Sequence, residues 1–494
     1  MSKHIAIRVD SSSKIGFGHL ARCLVLAKTF RQKGFTCFFI CQSLPGNGAD
    51  RLMAAGFDVE FIPVCDELED ARCSLNILSK LGLLVSLLIV DHYQLARPWE
   101  DALSSHVYAI LAIDDLANRK HQCRWLLDVN IHRAKQDYID LCPDNTECLI
   151  GVQYACIDEG YPLKRTLALA RRKKTVLIQR LLVTFGATDP IGLTPQVLTV
   201  LNSMNLGIAI DLVASSSAEW FADFNVSDYP NLQIILHINP TDLSDLVLKA
   251  DLALGSIGTS TWERACMGLP SIVMLTSELQ RPIAEALSEM KVVEFASCEN
   301  LDEKLGAFFP FEFSYWWEFV ERSSQLISGR GPYEVMKQLI QSSVDFRPMN
   351  MDDMFTLFEW QGYPESRRFS RNPEQPSLEE HQTWYKKSLI DPQRRMWMVE
   401  CFGQPAGYIR LDETINMIKN KVDESGRQEE VSILISRDYQ GMGLGKKAIH
   451  YLIEQRKYLS LLATVHDDNQ PSKALFLSCG FESIAPQTYL WSEQ

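Results

Sequence analysis

The sequence predicts an α/β chain of two consecutive parallel-sheet lobes followed by a smaller α+β domain, and three observations carry that prediction. From residue 1 to about 300 a short apolar run, a Gly/Asp/Ser-rich turn and an amphipathic helix recur in rotation, which is the pattern of parallel sheets with working loops at the strand C-termini. The rhythm breaks at the basic stretch Arg171-Arg172-Lys173-Lys174 and again at Gly329-Arg330-Gly331-Pro332. The chain's 494 residues are also too many for one core. We therefore expect lobes at residues 1–165 and 175–335, with a cleft between them, and a third domain at 345–494.

In the first lobe, strands are expected at Ile5–Val9, Cys37–Ile40, Leu87–Val90, Tyr108–Ile113 and Trp125–Asp128, with helices at Arg22–Phe30 and Trp99–Ser104. The apolar run from Leu81 to Val90 is half the ~20 residues a spanning helix needs, so it reads as a buried strand. The second lobe restarts with Leu181–Phe185 and later carries the strand Ser271–Leu275. The last domain opens on Val344–Pro348 and a helix. Further on come strand Val431–Ile435, helix Lys447–Gln455, strand Leu461–Val465 and helix Ser472–Ser478.

A composition of 46% hydrophobic and 22% charged residues is that of an ordinary folded protein. The net charge of −13 argues against nucleic acid or an anionic membrane as the main partner, but not against a small anionic substrate held at a helix N-terminus. Thirteen cysteines are scattered without a CxxC pair or zinc spacing. No metal is therefore expected, and unpatterned thiols suit a reducing cytosol. The start reads as a strand and not as a signal peptide, so a cytoplasmic location is expected.

The sharpest motif is Arg437-Asp438-Tyr439-Gln440-Gly441-Met442-Gly443-Leu444-Gly445-Lys446, between the strand Val431–Ile435 and the helix Lys447–Gln455. Small residues let backbone N–H groups converge there, and the helix dipole adds positive charge, which suits a pyrophosphate. Gln440-x-x-Gly443-x-Gly445 resembles the acetyl-CoA loop of the GNAT N-acetyltransferases, and the stretch from Asn469 to Gly480-Phe481 resembles the second half of that signature. The resemblance covers residues 345–494. It implies acetyl-CoA as cosubstrate, held by Gln440, Gly441, Met442, Gly443, Leu444, Gly445 and Asn469. The family often has a Tyr on the last helix to protonate the departing thiolate; here Phe476 stands in its place, leaving Tyr439, Ser472 or a water as donor. Acyl transfer needs a neutral amine, so a carboxylate on the central strand is a useful base. Glu429 and Glu430 enter that strand and Glu430 is preferred; both as surface charges is the alternative.

The N-terminal region begins with Arg8-Val9-Asp10-Ser11-Ser12-Ser13-Lys14-Ile15-Gly16-Phe17-Gly18-His19. A strand ends at Asp10 and His19 falls on the first turn of a helix, whose positive end disfavours imidazolium. A neutral ring can accept a proton from water, as a hydrolytic base must. Val90-Asp91-His92-Tyr93 and Ile113-Asp114-Asp115-Leu116 follow apolar strands, as does Val183-Thr184-Phe185-Gly186-Ala187-Thr188-Asp189 in the second lobe. Gly255-Ser256-Ile257-Gly258-Thr259-Ser260-Thr261-Trp262-Glu263 is a small-residue loop opening a helix, a fit for a diphosphate. Glu263, placed in the first helical turn, would accept ribose hydroxyls or simply cap the dipole.

In content and order these segments resemble the UDP-2,4-diacetamido-2,4,6-trideoxy-β-L-altropyranose hydrolase family of pseudaminic acid biosynthesis, over roughly residues 4–300. The resemblance implies two Rossmann-like lobes of the GT-B type, related to the glycosyltransferase that builds the lipid-linked disaccharide of peptidoglycan, and no need for metal. It assigns His19 as base and Tyr93 as its active-site neighbour. The UDP-sugar would meet Asp10, Gly16 and Gly18 in the first lobe, and Gly186, Gly258, Thr259, Ser260, Thr261 and Glu263 in the second. UDP is a good leaving group, so one base suffices and Asp114-Asp115 is not read as an acid/base pair. Together the two resemblances imply a bifunctional enzyme that acetylates an amino group on a UDP-linked sugar and then hydrolyses UDP from it. Phe358-Glu359-Trp360 and His381-Gln382-Thr383-Trp384 resemble sugar-specific acetyltransferases. The alternative is a UDP-sugar-dependent glycosyltransferase with a non-catalytic, acetyl-CoA-sensing third domain.

Overall fold

The computed structural model describes residues 3–12, 14–82, 84–186, 189–370, 372–415, 427–455 and 460–492; Ser13, Ala187 and Thr188 of the quoted loops lie outside them. The chain divides into two compact units, Ser2–Met336 and Lys337–Gln494.

The first unit holds two sheets. One is built from β1 (His4–Val9), β2 (Thr36–Gln42), β3 (Asp58–Ile62), β4 (Val85–Asp91), β5 (Ile110–Ile113), β6 (Trp125–Asp128) and β7 (Glu147–Ile150), in the order β3-β2-β1-β4-β5-β6-β7. All its pairings are parallel. The chain moves outward from β1 to β3 and then returns beside β1 as β4. The loops after β1 and β4 therefore leave the same edge in opposite directions and open a crevice, the place where such sheets take ligands. His19 follows β1, and Asp91 ends β4.

The second sheet repeats the device with β8 (Arg180–Thr184), β9 (Ala209–Ala214), β10 (Gln233–Ile238), β11 (Leu252–Ser256), β12 (Ser271–Met274) and β13 (Glu294–Phe295), in the order β10-β9-β8-β11-β12-β13. Here the crevice lies between β8 and β11, whose following loops carry Gly186 and Gly258. Alternation along the strands feeds two cores. Leu182, Ala253 and Val273 enter one, while Leu181, Val183, Leu254 and Ile272 enter the other.

The structure moves the boundary between the lobes. The basic stretch closes the helix Gly160–Arg172. Val152, Ala155, Tyr161 and Ala168 already belong to the second lobe's core, so the crossing comes soon after β7. Arg172 is wholly buried, and its guanidinium donates to the carbonyls of Met267 (2.8 Å), Ala250 (2.8 Å) and Val247 (2.9 Å). A charge cluster that looked like a solvated linker is in part an internal fastening.

The unit Lys337–Gln494 has one mixed sheet. It comprises β14 (Val344–Pro348), β15 (Arg394–Cys401), β16 (Gln404–Ile415), β17 (Arg427–Ile435), β18 (Ser460–Thr464), β19 (Glu482–Ala485) and β20 (Thr488–Trp491), in the order β14-β15-β16-β17-β18-β20-β19. Among the described residues only β17 and β18 run parallel, and there they pair from Gln428–Ser460 to Glu430–Leu462. Among the described residues no helix is long and apolar enough to cross a membrane.

Candidate active sites

In the first lobe the helix Gly18–Arg31 begins two residues after Gly16, which takes a positive φ of 84° and returns its N–H to the Ser12 carbonyl at 2.9 Å. That turn delivers His19 to the start of the helix. Its Nδ1 lies 2.6 Å from Asp91 Oδ1, and its ring meets Tyr93 edge-on with centroids 4.7 Å apart. Arg22, one turn on, donates through Nε (2.5 Å) and Nη2 (2.6 Å) to both Asp91 oxygens. Burial alone would raise the Asp91 carboxyl, but Arg22 and then His19 outweigh it and hold the group far below the usual carboxylate range. Arg22 also reaches Asp115 Oδ2 at 3.2 Å, where the Tyr93 hydroxyl donates at 3.4 Å. Neither Asp91 nor Arg22 was expected from the motifs as a partner of the histidine. The spacing of Arg22, three residues after His19 on one helix face, was the available signal.

Asp10 goes elsewhere. It is 3% exposed, and its oxygens take Arg8 Nη1 (2.6 Å), Arg8 Nη2 (2.8 Å), the Gln42 N–H (2.7 Å) and His92 Nε2 (3.2 Å). The carboxylate expected at the substrate is fully engaged inside the lobe, because the charge of Arg8 on a central strand needs it. Asp114 is similarly engaged, receiving the Leu116 and Ala117 N–H groups and Arg119 Nη1 at 2.7 Å.

In the second lobe, Gly258, Thr259 and Ser260 start the helix Thr259–Cys266 and remain at least partly exposed. Thr261 does not: it is 1% exposed and its Oγ1 accepts the Gly258 N–H at 3.2 Å, closing the loop from inside. Glu263 is the fifth residue of the helix, so it stands in the second turn and not the first. Burial pushes its carboxyl up to about 7 against the opposing hydrogen bond from the Tyr161 hydroxyl at 3.1 Å. Gly186, with φ 84°, is exposed just past β8; the register pairs Thr184 with Gly255, so it shares the sheet edge with this loop. The lobes meet at these loops, since a methyl group on Gly18 would lie 3.8 Å from Thr259 Oγ1. Two helix N-termini thus converge on one place, which concentrates unpaired N–H donors and positive potential.

The Lys337–Gln494 unit has its own cleft, of about 760 Å³, where β17 and β18 stop pairing. Glu430, Asn469, Ser472 and Phe476 line it together with Trp384 and His381. The two candidate bases separate cleanly. Glu429 is 5% exposed and bound to Arg395, while its neighbour Glu430 faces the cleft, as strand alternation requires. Tyr439, one of three proposed thiolate donors, is 1% exposed, away from the cleft lining, and burial raises its hydroxyl well above the ordinary value. Ser472 is on the lining, with its N–H bonded to Asn469 Oδ1 at 3.2 Å.

In the Gly-rich loop, Gly441 and Gly443 have φ of 77° and 89°, and the helix starts at Leu444. Gln440 and Gly441 are exposed, while Met442 and Leu444 are 1% exposed and anchor the loop in the core. Gln440 Nε2 donates back to the Ile435 carbonyl at 3.0 Å. A Cβ on Gly443 would lie 2.4 Å from Gln341 Nε2, and on Gly445 3.0 Å from Leu475 Cδ2. Gly443 was expected to leave room for a ligand. The space it leaves is filled by Gln341, which itself donates to the Met442 carbonyl at 3.0 Å.

Residues 353–481 match the Acetyltransferase (GNAT) family. An uncharacterized protein of Methanocaldococcus jannaschii is 22% identical over 515 residues, spanning 97% of this chain and 96% of that one. The UDP-2,4-diacetamido-2,4,6-trideoxy-beta-L-altropyranose hydrolase of Campylobacter jejuni is 29% identical over 214 residues, covering 43% of this chain and 70% of the relative. MurG of Acinetobacter baumannii superposes with a TM-score of 0.50 at 14% identity over 69% of this chain and 99% of its own, a likeness of fold. The chain thus joins a two-lobed GT-B-like region, homologous to the altropyranose hydrolase, to a GNAT acetyltransferase domain.

Proposed function

We propose that this protein is a bifunctional nucleotide-sugar enzyme of pseudaminic acid biosynthesis. Its acetyltransferase domain would acetylate the amine of a UDP-4-amino-4,6-dideoxy-N-acetyl sugar with acetyl-CoA. Its two lobes would then hydrolyse the UDP-2,4-diacetamido-2,4,6-trideoxy sugar to free sugar and UDP without a metal. The observation that carries the reading is the approach of Gly18 to Thr259, which sets the helix bearing His19 opposite a small-residue helix N-terminus suited to a diphosphate.

In the hydrolytic step His19 takes a proton from water, the water oxygen bonds to the anomeric carbon, and the C–O bond to UDP breaks with its electron pair leaving on the phosphate oxygen. Attack opposite the leaving group inverts the anomeric centre. In the acyl step Glu430 accepts the amine proton, nitrogen bonds to the thioester carbon, and CoA leaves as thiolate, to be protonated by Ser472 or a water. The test is a panel of UDP-diamino sugars with acetyl-CoA, read by mass spectrometry and NMR. The expected result is N-acetylation followed by UDP release, and a chain that yields neither product on any member overturns the proposal.

Two smaller outcomes follow from the geometry. Ser472→Ala should slow CoA release by about tenfold or more, while Tyr439→Phe should leave it nearly unchanged, because the Tyr439 side chain is buried away from the cleft. The reverse ranking in a thiol-release assay would reinstate Tyr439. Glu263 supplies a pH signature. With its carboxyl pushed up to about 7, it is ionised above that pH and protonated below it. If the carboxylate accepts ribose hydroxyls, the advantage of wild type over Glu263→Gln in UDP affinity should appear as pH rises through about 7 and fade below it. Calorimetry giving the same difference at pH 5.5 and 8.5 would refute that role.

A further inference from the structure

The surroundings of His19 go beyond a histidine at a helix start. We propose that Asp91, clamped by Arg22, is the positioning residue of the hydrolytic site: it binds the Nδ1 proton of His19 and leaves Nε2 as the nitrogen that accepts a proton. This rests on the reading of His19 as the base.

Two groups compete for Nδ1. Asp91 Oδ1 lies 2.6 Å away and would accept an Nδ1–H; Arg22 Nη2 lies 3.0 Å away and would donate into a bare Nδ1. The outcomes are opposite. Donation by Arg22 would push the ring proton to Nε2 and make the ring a donor toward water, useless as a base. The arrangement favours Asp91. It is the closer group, and Arg22 Nη2 is already committed to the same Asp91 oxygen at 2.6 Å, with Nε on the other oxygen at 2.5 Å. Asp91 is 1% exposed, and Cys23 Sγ approaches it at 3.6 Å. Arg22 is in turn held by Asp115 at 3.2 Å, and the Tyr93 ring meets the imidazole edge-on. Once His19 has taken a proton, Asp91 faces the imidazolium with no rearrangement, which is the value of a preset carboxylate.

The test uses the full-length protein. Asp91→Asn keeps the shape but offers an amide whose oxygen Arg22 will claim, turning its NH2 toward Nδ1 and reversing the ring's proton. We expect kcat for UDP release to fall by roughly 10²–10⁴ with KM and UDP affinity nearly unchanged, a split that loose packing would not produce. Nitrogen NMR of wild-type protein labelled in histidine, with His19 assigned by its loss in His19→Ala, reads the tautomer directly and needs no folded Asp91 variant. A neutral His19 protonated at Nδ1 supports the proposal. Protonation at Nε2, or a folded Asp91→Asn protein with wild-type kcat, overturns it. If His19→Ala itself hydrolyses the substrate at the wild-type rate, the reading of the base falls instead, whichever tautomer is found.

Discussion

Replacing His19 with alanine should cut UDP release from the diacetamido sugar by roughly 10²–10⁴ while leaving UDP affinity nearly intact. The two effects separate because the histidine and the expected nucleotide loop stand on different lobes. The helix Thr259–Cys266 keeps its own closure through Thr261, and Arg264 holds its start from within by donating to Ser260 Oγ (3.1 Å) and the Ser256 carbonyl (3.0 Å). None of these bonds involves the first lobe. Asp91 would keep both bonds from Arg22, so loss of the imidazole does not strand a buried charge. A coupled assay for UDP and a calorimetric titration with UDP measure the two quantities. Turnover close to wild type would end the assignment of His19.

The second large effect is expected at Gly443. Valine there must hold φ near 89°, a region that costs an L-residue about 1–2 kcal/mol before any contact is counted. Its Cβ would also sit 2.4 Å from Gln341 Nε2, so Gln341 must yield and release the Met442 carbonyl. The loop that begins the helix Leu444–Gln455 would then shift, and backbone donors aimed at a pyrophosphate lose their aim. Acetyl-CoA affinity of Gly443→Val should drop by about 100-fold or more, near 2.7 kcal/mol. Gly441→Ala makes the comparison informative: its φ is 77°, but a Cβ there meets nothing within 4 Å, so strain acts without collision and the loss should be smaller. Unchanged affinity in a Gly443→Val protein with a native thermal transition would refute the pyrophosphate loop.

Much of this was legible in the amino-acid order, and the parts that were not share a physical reason. Strand, glycine turn and helix start are local, so the position of His19 could be read from Val9 to His19. Its partner Asp91 lies 72 residues away and is brought alongside by the pairing of β1 with β4, which no local pattern encodes. Asp10 was given to the substrate by the family resemblance; that both its oxygens accept from Arg8 depends on a neighbour two residues back on the same buried strand, which the motif did not bring in. Glu430 was preferred to Glu429 from the sequence, with both as surface charges the alternative; strand alternation puts Glu429 against Arg395 and Glu430 in the cleft. Gly443 could be recognised as required, but the Gln341 side chain that a Cβ there would strike lies 102 residues earlier and carries no motif.

Arg172 has a consequence for anyone who wishes to dissect the chain. Its three acceptors are main-chain carbonyls 75 to 95 residues downstream, at the C-terminal ends of the helices Ser244–Lys249 and Thr259–Cys266. Excising the first lobe at the apparent basic linker would carry away the arginine and leave those carbonyls buried without donors in the remainder. A fragment beginning after the stretch would inherit the wound, and one ending there would display an unshielded guanidinium. The severable joint is upstream of the helix Gly160–Arg172, where the sequence offers no obvious place to cut.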